Sequence, residues 1–152
     1  MSANGQAKPS WAWAVQGKPT VMLETALRAC GGAGSLPRPL AECNGDACGW
    51  VRGIAQCLGA GSCRTAVVFC DDASVACCVA NKVPGVRAAA VATVSQATRA
   101  LHQLGANLLI VEMAGRTFFE FRQLLRLAAA GPADCPPRVA CTLTELDGHA
   151  HR

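Results

Sequence analysis

From Trp50 onward the chain alternates short apolar runs with stretches of helical period, and this alternation constrains the fold more than any other feature. VRGIAQCLGAG places Val51, Ile54, Ala55 and Leu58 on one helical face and ends at Gly59 and Gly61; TAVVFC follows as a short buried strand. Residues 73–82 suit a helix, VRAAAV a strand, TVSQATRALHQLG a helix with Gly105 as its C-terminal signal, and NLLIVE a strand. TFFEFRQLLRLAAAG then carries apolar residues at helical spacing and stops at Gly131-Pro132. Strands separated by helices of about ten residues predict an α/β domain, a parallel sheet of about five strands covered on both faces. TAVVFC, VRAAAV and NLLIVE are its expected central neighbours. Ligands of such sheets bind at the carboxyl ends of strands, and Cys70 closes TAVVFC at one of them.

Upstream the pattern is weaker. Residues 1–20 hold Gly, Pro, Ser and Asn around Trp11 and Trp13 without a sustained period, and read as an N-terminal arm. The two tryptophans either anchor a partner or fold back on the domain. VMLETALRACGG has a strand-like start passing into a short helix that ends at Gly31 and Gly32, and GSLPRPLAECNGDACG is loop-like. The division is an arm over 1–20, one domain over 21–148 and a tail over 149–152, since 152 residues suffice for one core without staples.

Ten cysteines would suggest disulfides in a secreted chain, but no basic region, apolar run and small-residue cleavage site open the sequence. The thiols are expected to be reduced, in an intracellular and cytoplasmic setting with an organelle left open. No Cys-x-x-Cys pair occurs; the nearest pairs are Cys43/Cys48, Cys57/Cys63 and Cys77/Cys78, so neither a zinc module nor another metal site is expected. The net charge of +4 is spread along the chain without a basic stripe, which argues against nucleic acid. No apolar run approaches the ~20 residues of a membrane helix.

Cys70 followed by VANKVPGVRAA resembles the signature of the type B ribose-5-phosphate isomerases and galactose-6-phosphate isomerase subunits. That pattern runs Cys-Gly-Ser/Thr-Gly-x-Gly, four or five mostly apolar residues, Ala-Asn-Lys, two variable residues, then Gly-x-Arg-Ala; Ala80, Asn81, Lys82, Gly85, Arg87 and Ala88 match it. Downstream, GANLLIV resembles the family's Asn-Val-Leu strand and PPRVACTLTELD its closing helix, so the likeness covers residues 50–148. It implies a Rossmann-like three-layer sandwich, paired as a homodimer or heteromer with sites shared between subunits. It also implies aldose–ketose isomerisation of a phosphosugar without a cofactor. That chemistry needs a base, oxyanion donors, a ring-opening group and cations for the phosphate.

In the resemblance Cys70 takes the base position, and Ala76 stands where some members use a glutamate. The glycine loop has become Cys70-Asp71-Asp72-Ala73-Ser74-Val75, so every glycine of the motif is replaced. Cβ atoms restrict backbone approach to an anion, and the two carboxylates favour capping the following helix and raising a nearby thiol's pKa. The ring-opening histidine aligns with Gln103 and the adjacent asparagine with Leu104, leaving His102 as a substitute on another helical face. Arg138 matches one phosphate-binding arginine and Arg116 is displaced from the site of another. An early Asp-His pair is missing near VMLETALRA, where Glu24 and Thr25 are the nearest polar residues. Asn81 and Lys82 belong to the substrate side by resemblance, although a helix end and turn need such residues irrespective of catalysis.

The resulting expectation is a divergent family member with a largely degraded site, acting as a non-catalytic or partner subunit. The alternatives are an active isomerase using Cys70, alone or in a heteromer, and a module binding a phosphosugar or other anion.

Overall fold

A computed structural model of the chain describes residues 11–30, 46–132 and 134–149. Four strands, β1 (Trp11–Val15), β2 (Thr65–Cys70), β3 (Ala88–Ala90) and β4 (Leu108–Glu112), form one parallel sheet in the order β1-β2-β4-β3. Six helices accompany them: α1 (Val21–Cys30), α2 (Ala47–Gly59), α3 (Ala73–Ala80), α4 (Val94–Arg99), α5 (Phe118–Ala130) and α6 (Pro137–His149).

β2 is buried throughout and β4 over Leu108–Val111 because both sheet faces are covered, which is why they read as continuous apolar runs. Val68, Cys70, Leu108 and Ile110 point to the layer of α2 and α3; Val67, Phe69, Leu109 and Val111 point to α1, α4 and α5. The three-layer α/β sandwich expected from the alternation is therefore the observed fold, with four strands among the described residues instead of about five.

Three expectations need correction. WAWAV is not part of an arm: Trp11–Val15 pairs residue for residue with Thr65–Phe69, and Gln16 N–H donates to the Phe69 carbonyl at 2.8 Å. The domain thus begins by Trp11, and the tryptophans lie half-buried against the layer of α1 and α5. VMLETALRAC is helical from its first residue, because its strand-like start leaves Val21 and Met22 exposed while Leu23, Ala26 and Leu27 face inward at helical spacing. VRAAAV contributes the edge strand β3, since β4 inserts between it and β2. Residues 1–10, most of the loop-like stretch (residues 34–45), Gly31, Gly32 and residues 150–152 lie outside the described residues.

The helix after Thr93 ends differently from an ordinary α-helix. α4 widens into a π turn over Ala100–Leu104, where Gly105 N–H reaches back five residues to the Ala100 carbonyl and Ala106 N–H also donates to that oxygen at 3.1 Å. Gly105 closes it at φ +62°, and a Cβ there would lie 2.7 Å from Cys135 Cα, so both handedness and space require glycine. The short edge β3 is covered at Ala88 by a side chain: Asn81 Nδ2 donates to the Ala88 carbonyl and Asn81 Oδ1 accepts from its N–H, each at 2.9 Å.

Candidate functional site

Each βα crossover runs its helix back along the sheet, so loops after strands gather at the carboxyl end and loops after helices at the other. Cys70 ends β2 and pairs in register with Glu112, the last residue of β4. The first turn of α3 begins directly behind it, and Gln16 follows β1 on the other side. These four elements make the candidate site.

Its backbone donors are engaged by the chain itself. Asp72 is the N-cap of α3, and its Oδ1 accepts from Ser74 N–H at 3.0 Å and Val75 N–H at 3.1 Å. Glu112 Oε1 accepts from Ala73 N–H at 3.1 Å, and Gln16 Oε1 from Asp71 N–H at 2.9 Å. The N–H groups where a glycine loop would cradle an anion thus face two carboxylates and a carboxamide. Capping of this helix by one of the two aspartates is legible in the sequence, and the structure assigns it to Asp72. The sequence signal for Glu112 is a lone acid closing the apolar run NLLIVE, and Gln16 is concealed by the linker-like residues that follow WAWAV. The residues after the true first strand, Gln16-Gly17-Lys18, again lack the Asp-His pair.

Cys70 is 1% exposed, and its Sγ has a long contact, 3.8 Å, to the Val111 carbonyl. Burial pushes its pKa up to about 12, with Glu112, Asp71 and Asp72 adding repulsion against the thiolate and a backbone hydrogen bond at Asp72 opposing them weakly. A cavity of about 120 Å³ adjoins it, lined by Val51, Val75 and Ala76 with Cys48, Gln16 and the two aspartates at its sides. Because the folded pKa lies above the ordinary thiol value of 9.0, the stability tied to the neutral thiol is complete below pH 9 and is lost as pH rises through 12. Iodoacetamide at pH 8 should therefore alkylate exposed Cys48, Cys78 and Cys141 while leaving Cys70 intact in the folded chain; rapid labelling of Cys70, read by peptide mass, would contradict this environment.

The remaining expected residues divide between the two ends of the sheet. Arg116 lies at the carboxyl end but on the β3 side of β4: Nε donates to the Glu112 carbonyl at 3.1 Å, Nη1 donates to the Ala92 carbonyl, and Nη1 stands 3.8 Å from Glu120. Asn81, Lys82, His102 and Arg138 sit at the opposite end, where α3 and α4 finish and α6 begins. Asn81 is held by Ala88, whereas Lys82, His102 and Arg138 are exposed. Within one chain the structure does not bring these four to Cys70. Among the described residues there is no cluster of His, Cys, Asp or Glu fit for a metal, and no helix long and apolar enough to cross a membrane.

Comparison with solved structures gives the same architecture. The ribose 5-phosphate isomerase of Thermotoga maritima superposes with a TM-score of 0.74 at 16% identity, covering 89% of this chain and 97% of that one. Ribose-5-phosphate isomerase B of Clostridium thermocellum gives 0.74 at 15% identity, covering 91% and 95%. The Mycoplasma genitalium isomerase B with bound ribulose-5-phosphate gives 0.68 at 17% identity, covering 91% and 95%. No curated protein sequence matches the chain. The model of the family described as Ribose/Galactose Isomerase matches residues 47–126, more than half of the sequence and the whole of the β2–α3–β3 signature; the chain belongs to that family.

Proposed function

We propose that the chain is a non-catalytic or partner subunit within the Ribose/Galactose Isomerase family, with an anion loop sealed by its own side chains. The observation that carries this reading is the occupation of the N–H groups of Asp71, Ala73, Ser74 and Val75 by Gln16, Glu112 and Asp72. An oxyanion entering there would have to displace carboxylates of its own sign from a helix N-terminus. The base position supports the same reading, since a thiol with a pKa of about 12 is ionised in only about one molecule in ten thousand at pH 8. A base must be largely deprotonated near working pH to carry a proton between carbons.

The second reading is an active phosphosugar isomerase whose site is shared between chains. It is favoured by the exposure of His102 and Arg138 at the end of the sheet away from Cys70, where they can serve only the Cys70 of another copy or of a related partner. Under either reading the chain works as a homodimer or heteromer. Exposed Phe119 and Leu146 provide apolar surface for that pairing.

The deciding measurement is interconversion of ribose 5-phosphate and ribulose 5-phosphate by the purified chain, alone and mixed with any homologous chain that co-purifies. The expected result is no turnover above a Cys70→Ala control in either sample. Turnover abolished by that substitution would replace the non-catalytic reading with the second one.

A further inference from the structure

A second cavity, about 330 Å³, lies at the other end of the sheet, between the start of β3, the π turn after α4 and the inner side of α6. Its size is that of a small-ligand pocket. Val86, Leu104, Ala140 and Leu143 give it an apolar lining, and Arg87 and Asp147 give it one charge of each sign.

Both charged groups keep free valence. Arg87 donates from Nε to the Gly105 carbonyl at 2.9 Å, which fixes the guanidinium, and neither terminal nitrogen has a hydrogen-bond partner among the described residues. Asp147 accepts from Gly85 N–H through Oδ2 at 3.2 Å, and its other oxygen has no such partner. α6 contributes no fully buried residue, and Ala140, Leu143 and Asp147, which line the cavity, are half-buried.

We infer that this cavity is a binding site for a small zwitterion of the α-amino-acid class with an aliphatic side chain. A net anion would be drawn to Arg87 and repelled by Asp147, and a net cation would meet the converse pairing. A phosphosugar, with its doubly charged phosphate, is selected against for the same reason. A ligand carrying both charges satisfies the two walls together, and its hydrocarbon part covers Val86, Leu104 and Leu143. Binding would bury the inner side of α6 and tighten its docking. This site is separate from Cys70 and does not depend on the reading of that site.

The test uses the full chain and L-leucine, with isovalerate and isoamylamine as analogues lacking the ammonium or the carboxylate, followed by calorimetric titration and by amide exchange over residues 137–149. Leucine is expected to bind with slowed exchange in α6, and each analogue at least tenfold more weakly. Asp147→Asn, which keeps an acceptor for Gly85, should cost tenfold or more in leucine affinity while leaving the melting temperature of the free chain unchanged. Leu143→Trp, which fills the cavity, should abolish binding. Absence of binding at millimolar leucine, equal affinity for isovalerate, or unaltered affinity in both variants would overturn the proposal.

Discussion

Removal of residues 1–15 is expected to leave a chain that does not fold, in place of a domain freed from an arm. The deleted strand carries five consecutive pairings with β2. It also places Ala12 and Ala14 in one core layer and Trp11, Trp13 and Val15 against the other. A tryptophan buries roughly 150–250 Å² when enclosed, so two half-buried ones and a valine contribute about 5–8 kcal/mol at ~25 cal/mol per Å². That is comparable with the ~5–15 kcal/mol that holds a whole domain together. The loss would leave β2, an interior strand, as a bare apolar edge, so the product should aggregate. Far-ultraviolet circular dichroism and a urea titration of this deletion, beside one lacking only residues 1–10, would show it. A cooperative transition near the full-length midpoint after loss of β1 would disprove the assignment of WAWAV as an integral strand.

Phe121→Ala should be the most damaging single substitution of a side chain on the α5 face. Phe121 is fully buried and meets Phe69 of β2 edge-to-face, with ring centroids 5.5 Å apart and planes at 78°. Truncation removes the transfer free energy of the ring and leaves a cavity bounded by Leu124, Leu125 and the sheet. The expected cost is about 3–5 kcal/mol. For a domain of this length that corresponds to a fall of roughly 6–20 °C in Tm. Phe121→Leu, which retains most of the volume, should cost about 1–1.5 kcal/mol. Equal melting temperatures for the two variants would show that the α5 layer collapses around the site and is not packed as described.

The part of the fold built on continuous periodicity was readable. TAVVFC is covered throughout and NLLIVE up to Val111, and the intervening helices keep an apolar face, so their periods survive in the sequence. WAWAV is obscured because a strand with one alanine face and one tryptophan face looks apolar throughout, and it leads into Gly17, Lys18 and Pro19, which punctuate like a linker. VML misleads for the opposite reason: the local β propensity of Val21 is overridden by the burial of Leu23, Ala26 and Leu27 in the layer shared with α5. At the site, Cys70 and the capping role of Asp72 follow from their place between a strand and a helix. Glu112 and Gln16 come from other strands, and the register that aligns Glu112 with Cys70 is a property of the folded sheet. The split of His102 and Arg138 from Cys70 likewise follows from the direction in which helices return, which a linear motif does not display.

The carboxamide of Asn81 has a consequence beyond its place in the signature. By offering a donor and an acceptor to the backbone of Ala88, it imitates a passing peptide group beside β3, the last strand of the sheet among the described residues. β3 is only three residues long; both backbone groups of its buried first residue, Ala88, are occupied by Asn81, while Ala90 at its other end is exposed. The side chain therefore closes the Ala88 end of this strand to pairing by another chain, a contribution to solubility that is independent of any sugar chemistry.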